Sequence, residues 1–288
     1  MPRLIRLIIS IGLIIGVMSQ VGGEVIDRLR AVDWRWLLLA LPLTIAQVAM
    51  SAARWRYTAQ RLGVTIPRSQ ALSEYYLATL VNQVLPGGMV GDAQRAWRHS
   101  NQMPQRSPAF QAVVIERFSG QMAMALLALL AWALAPWPGA LALGVTAPVI
   151  SASAAGLLLV AAAGWLLHRQ APSWWQALQQ ALLAPKALGV QSVASLSVAL
   201  SIIAVYACCV LAGTPTGSPL LWLALIPVVL FTMVIPLSIA GWGLRESAAA
   251  LLWPLAGLPA AEGVSAAILY GGVSLVASLP GVITLLRR

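Results

Sequence analysis

Charge is scarce in this sequence: Asp, Glu, Lys and Arg make up 9% of its 288 residues, where soluble domains average about a quarter. A soluble globular class is excluded on that ground. Lys186 is the only lysine, so there is no phosphate-loop lysine, and no G-x-S-x-G nucleophile elbow occurs. Without a nucleotide-binding motif, any transport is downhill or ion-coupled. The two cysteines, Cys208 and Cys209, are adjacent in an apolar segment and read as small packing side chains, not as a disulfide or metal site. The two histidines, His99 and His168, lie in basic connections. No metal-ligand spacing arises, and no cofactor is expected.

What fills the sequence is apolar: 60% hydrophobic residues with a mean hydropathy of +0.84. This is the composition of an all-α polytopic membrane protein, a single integral domain whose length is spent on spans. The net charge of +10 sits mostly in short connections between apolar runs. That pattern orients membrane helices and meets anionic head groups. It is not a nucleic-acid footprint.

One stretch breaks the pattern. Asn82 to Arg95 reads N-Q-V-L-P-G-G-M-V-G-D-A-Q-R, placing a Pro-Gly-Gly break, an aspartate and an arginine at the end of an apolar run. In a bilayer, irregular backbone and charge survive only inside protein or beside a wet cavity. The punctuation returns about 150 residues later in V-I-P-L-S-I-A-G-W-G-L-R-E, Val234 to Glu246. Pro86, Gly91 and Arg95 match Pro236, Gly241 and Arg245 with the same offsets. Paired Pro/Gly-interrupted hydrophobic segments point to a transporter's binding site.

Taken in order, Arg3 and Arg6 precede an apolar run from Leu7 to Met18 with no A-x-A-like cleavage site, so a retained first helix with its start inside is expected. A second span is predicted over Trp36 to Ala53, with Arg54, Arg56, Arg61 and Arg68 marking a cytoplasmic loop. Gln70 to Leu85 is short for a span, and Arg95, Arg98 and Arg106 follow it. A re-entrant hairpin from the cytoplasm, turning at Pro86 to Gly91, satisfies both length and charge. Spans are predicted over Phe110 to Leu134 and Leu141 to Leu167, joined by an outer turn at Ala135 to Gly139. A short interfacial helix is expected after Ser173 as N-cap. Val190 to Ala212 spans, Leu220 to Ile235 and Leu244 to Leu258 form the second hairpin, and Val264 to Leu286 ends inside. The implied architecture is an inverted repeat of helices with two re-entrant hairpins and halves of about 1–137 and 138–288. The alternative is about eight conventional transmembrane helices.

The candidate site follows from this arrangement. Gly91 and Asp92 look like a helix start, with Asp92 able to cap free amides. Amides at a helix N-terminus plus an arginine suit a phosphate. Arg95 and, from the other hairpin, Arg245 are the expected head-group contacts, brought into one chamber. Asn82, Gly87, Gly88, Gly91, Ser238 and Gly241 complete the substrate-binding set. Asp92, Glu116 and Glu246 balance charge or carry a proton. Glu116 is expected to pair over long range with Arg95 or Arg245, since adjacent Arg117 points about 100° away on a helix. Glu74 beside Tyr75 and Tyr76 is expected at the interface.

N-x-x-L-P-G-G-x-x-G-D-x-x-R at Asn82 to Arg95, E-R at Glu116 and Arg117, and P-x-S-x-x-G-x-G-x-R-E at Pro236 to Glu246 together resemble the lysylphosphatidylglycerol synthase transmembrane family. The resemblance covers most of the chain and departs at Ala240, where the family often has a glycine. No soluble transferase region follows Arg288, so lysine transfer is not implied. The resemblance implies a lipid flippase or scramblase in a bacterial cytoplasmic (inner) membrane, with both termini cytoplasmic. Its cargo would be an anionic or amino-acylated phospholipid or a polyprenyl-phosphate-linked lipid. The partners expected are membrane lipids with phosphate head groups. A second reading is a non-transporting accessory subunit for a lipid-using glycosyltransferase, and a third is an intramembrane lipid-modifying enzyme.

Overall fold

A computed structural model describes residues 3–85, 90–101, 107–135, 162, 164–166, 168–234 and 238–287. Every regular element among them is helical: α1 Arg3–Arg30, α2 Trp34–Arg61, α3 Arg68–Val84, α4 Val90–Asn101, α5 Ser107–Leu134, α6 Pro172–Leu178, α7 Pro185–Ala212, α8 Pro219–Phe231, α9 Leu244–Leu255, α10 Ala260–Ser278 and α11 Pro280–Leu286. A π turn, Gln179–Leu183, links α6 to α7, and a 3-10 turn, Thr232–Val234, extends α8.

Helix length sorts these elements. Among the described residues, five segments are long and apolar enough to cross a membrane: Leu7–Arg30, Trp34–Arg61, Ser107–Leu134, Pro185–Ala212 and Ala260–Leu286. A 28-residue helix is about 42 Å long, more than the roughly 30 Å of a hydrocarbon core. The 17 residues of α3, 12 of α4, 13 of α8 and 12 of α9 reach only about 18 to 26 Å. Each falls short alone, and each packs on its neighbour, α3 on α4 and α8 on α9. The chain is thus an all-α polytopic membrane protein in which two hairpins of short helices sit among full-length spans.

Side-chain ties show where the hairpins open. The backbone N–H of Asp33 donates to the carbonyl of Ala212 at 2.9 Å, and Arg28 donates to the Gly213 carbonyl at 3.2 Å. Arg28 also lies 3.9 Å from Glu262 in the first turn of α10. These bonds gather the end of α1 and the starts of α2 and α10 beside the end of α7. At the other side, Arg61 donates to the Gln180 carbonyl, Arg56 to the Ile66 carbonyl and Gln111 to the Ser173 carbonyl. There lie the end of α2, the starts of α3 and α5, and α6. The α3–α4 hairpin therefore opens toward this second side and the α8–α9 hairpin toward the first.

Packing has a two-fold pattern. Helix α2 lies along α7, α5 packs on α4 and α8, and α10 packs on α9 and α3. Exchanging α2, α3, α4 and α5 for α7, α8, α9 and α10 maps these pairs onto one another. Close approach depends on small residues, as usual between membrane helices. A Cβ at Gly91 would stand 2.1 Å from the Ala78 carbonyl oxygen, so a glycine is what lets α4 lie against α3. Gly263 likewise faces the Trp253 ring.

Several boundaries differ from the sequence reading. The second span does not end at Ala53: α2 continues to Arg61, so Arg54 is a buried helical residue and not a loop marker. It stays buried because α5 supplies Glu116 as its counter-ion. Ser173 is not an N-cap: Ala171 occupies that position, and Pro172 fills the first helical one, where its missing N–H costs nothing. Pro86, Gly87, Gly88 and Pro236 lie outside the described residues, as does most of the predicted segment from Ala135 to Leu167.

Candidate functional site

A cavity of about 300 Å³ lies between the two hairpins and the spans around them. One wall carries Thr44, Gln47, Ser51 and Arg54 from α2, another Tyr75, Thr79 and Asn82 from α3 with Asp92 from α4, and a third Arg117, Gly120 and Gln121 from α5. Ser195 from α7, Tyr270 and Ser274 from α10, and Ser238, Ala240 and Gly241 from the second turn complete its polar lining. Ile202, Leu230, Phe231 and Met233 make an apolar side.

At the polar end five charged groups alternate in sign. Arg54 reaches Glu116 at 2.5 Å; Glu116 also meets Arg95 at 3.2 Å; Arg95 meets Asp92 at 3.0 Å; and Asp92 meets Arg117 at 2.5 Å. The order is Arg54, Glu116, Arg95, Asp92, Arg117. Glu116 is fully buried, and Tyr75 donates to it from 3.3 Å. Arg95, 1% exposed, is held between the Trp55 and Tyr75 rings, each 4.3 Å from its guanidinium carbon, a cation–π arrangement that offsets lost hydration. The predicted long-range pair of Glu116 with Arg95 is present. Asp92 does not cap the amides of α4, because its oxygens are taken by Arg95, Arg117 and Asn82. Asn82 does that work, accepting from the Gly91 N–H at 2.8 Å.

Beside the second turn a smaller cluster forms. Arg245, also 1% exposed, meets Glu246 at 2.6 Å. It lies near the Trp242 and Tyr270 rings, at 5.1 and 5.3 Å. The other Glu246 oxygen accepts from the Gly243 N–H at 2.7 Å, closing the start of α9. The turn needs left-handed backbone at Ala240 (φ 50°), Gly241 (φ 80°) and Gly243 (φ 85°). Glycine adopts this freely, whereas alanine does so at a cost.

The expectation that Arg95 and Arg245 share one chamber is corrected by these positions: neither lines the cavity, and each is enclosed by its own partners. Among the described residues, the cations that face the cavity are Arg54 and Arg117. Of the other predicted residues, Asn82, Asp92, Ser238 and Gly241 line it, Gly91 packs the arms, and Glu116 and Glu246 sit behind as counter-ions. Ser238 is 2% exposed, and its hydroxyl has no hydrogen-bond partner among the described residues.

Arg54 and Arg117 were legible as a pattern, if not as charges. On α2, Thr44, Gln47, Ser51, Arg54 and Thr58 recur at alternating spacings of three and four, the signature of one helical face. Arg117, Gly120, Gln121 and Met124 share one face of α5, at offsets of three, four and seven from Arg117. Averaging hydrophobicity over a span hides such a stripe, which lines the inside of the bundle.

Fold and cavity together define a polytopic membrane protein with a charged chamber inside the membrane domain and two helical hairpins that meet at it. The chain belongs to the family described as Lysylphosphatidylglycerol synthase TM region, which matches residues 3–281. No curated protein matches the chain.

Proposed function

We propose that the chain is a flippase- or scramblase-type transporter, not an enzyme, and that it passes a phosphate-bearing lipid head group between leaflets. Its cargo is an anionic or amino-acylated phospholipid or a polyprenyl-phosphate-linked lipid. The observation that carries this reading is the cavity, in which both hairpins present polar groups opposite an apolar wall, as an amphiphile requires. Arg54 and Arg117 hold the phosphate, Asn82, Ser238 and Gly241 complete the contact, and Arg95, Asp92, Glu116, Arg245 and Glu246 position and balance them. The two-fold packing supports duplicated halves of about 1–137 and 138–288, inverted in the membrane, so that rocking about the cavity opens it to each side in turn.

The setting is a bacterial cytoplasmic membrane with both termini cytoplasmic. One side collects Arg56, Arg61, Arg68, Arg98, Arg169, Lys186 and Arg287, with Glu74 paired to Arg98. The other mixes Arg28, Arg30 and Arg35 with Glu24, Asp27, Asp33 and Glu262. By the positive-inside bias the first is cytoplasmic.

The test is leaflet exchange of labelled lipids in proteoliposomes. Arg117→Ala, whose parent side chain is 34% exposed, is expected to slow exchange about tenfold or more while the protein remains folded. Absence of exchange for every lipid refutes the reading. The second reading, a non-transporting subunit for a glycosyltransferase or other lipid-modifying enzyme, draws on the complete enclosure of Arg95 and Arg245, which suits a structural lock. Co-purification of such an enzyme without exchange would support it.

A further inference from the structure

We infer that the cavity selects a phosphate ester carrying net negative charge and rejects head groups in which an amine cancels or reverses that charge. This rests on the reading of the cavity as a lipid head-group site and narrows its cargo. Three guanidinium groups share two carboxylates, so the alternating run has a cation at each end, Arg54 and Arg117. Both ends line the cavity, whereas the middle cation, Arg95, does not.

Among the described residues the nearby carboxylates are engaged elsewhere. Arg245 and Glu246 neutralise one another across the cavity, and Glu74 meets Arg98 on the cytoplasmic side. His99, packed edge-on to Trp55, could only add to the excess. An uncompensated buried cation is costly, and an anion lying between Arg54 and Arg117 would close the run into a ring of alternating sign. Arg117 and Gly120 stand three apart on α5 and so share a face. Gly120 also lies against Arg54, a Cβ there falling 2.8 Å from Nη2, which brings the two ends of the run to the same stretch of wall. Donors are also in reserve: Arg54 Nε, Arg117 Nε and the Ser238 hydroxyl have no hydrogen-bond partner among the described residues. Among the described residues no cavity-lining carboxylate is left over for an ammonium group, since Asp92 is already shared by Arg95, Arg117 and Asn82.

The experiment titrates the full-length purified protein, in detergent, with three probes. They are phosphatidylglycerol, with one negative charge; phosphatidylethanolamine, with none net; and lysylphosphatidylglycerol, with one positive. Bound lipid is read by native mass spectrometry, with glycerol phosphate as a water-soluble competitor. Phosphatidylglycerol is expected to bind about tenfold or more tightly than either amine-bearing lipid. Arg117→Gln, which removes the excess cation, and Gln121→Glu, which cancels it from the wall without touching the run, are both expected to reduce that preference to near unity. Glycerol phosphate is expected to compete only at far higher concentration, the apolar wall being left empty.

Equal or tighter binding of the lysyl ester overturns the charge selection while leaving a lipid site in place. Persistence of the preference in both variants overturns its assignment to this run. Competition by glycerol phosphate at lipid-like concentration overturns the lipid source of the anion. Failure to retain any lipid removes the proposed function as well.

Discussion

The two hairpins carry the same Pro, Gly and Arg offsets and yet build different electrostatics. Around the first, Arg95 joins a run of five charges that ends in two cavity-facing cations; around the second, Arg245 and Glu246 form a closed neutral pair. A repeated backbone device therefore does not repeat its chemistry. The first hairpin's neighbours, α2 and α5, contribute ionised side chains, Arg54, Glu116 and Arg117, where their counterparts α7 and α10 offer Tyr206, Tyr270 and Ser274. The arginine common to both motifs is buried against aromatic rings and a carboxylate in each case, and what differs is the charge its neighbouring helices add.

The largest expected break in this comparison is Glu116→Ala, which strips a counter-ion from both Arg54 and Arg95. It should destabilise the protein by about 3–5 kcal/mol in thermal or denaturant unfolding in detergent. Glu246→Gln removes one ionised partner from one arginine and should cost about 1–3 kcal/mol; if the two losses are equal, the asymmetry is wrong. Gly91→Ala comes next. Its Cβ would meet backbone, not a movable side chain, and should cost about 1–3 kcal/mol or more by forcing α4 off α3. The smallest effect is a gain: Ala240→Gly relieves left-handed strain and should stabilise the second turn by about 1 kcal/mol.

How far the sequence revealed this arrangement differs between its parts. The short apolar run before Pro86 announced the first hairpin, because a helix too short to cross has few other options in a bilayer, and the matching Pro, Gly and Arg offsets after Pro236 announced the second. The Glu116–Arg95 pair was legible because a lone carboxylate in an apolar run demands a cation. Arg54 was misplaced for the converse reason. It closes an apolar run and begins a series of arginines, and only the position of α5 across from it reveals a buried partner. The cavity-facing role of Arg54 and Arg117, in place of Arg95 and Arg245, rests on which cation occupies the middle of a five-member run. The polar stripes on α2 and α5 turn both residues inward, but which cations end the run is set by contacts among α2, α4 and α5.

One contact bears on how such a molecule is made. The N–H of Ile239 donates to the Ser10 hydroxyl at 3.0 Å, and a Cβ on Gly243 would stand 2.9 Å from the Ser10 carbonyl oxygen. The helix that bears Ser10 must hold open a berth for a segment synthesised more than two hundred residues later. Docking the two closes a long loop, at a high entropy cost. A reporter placed beside Ser10 would register that late docking as a slow step in folding.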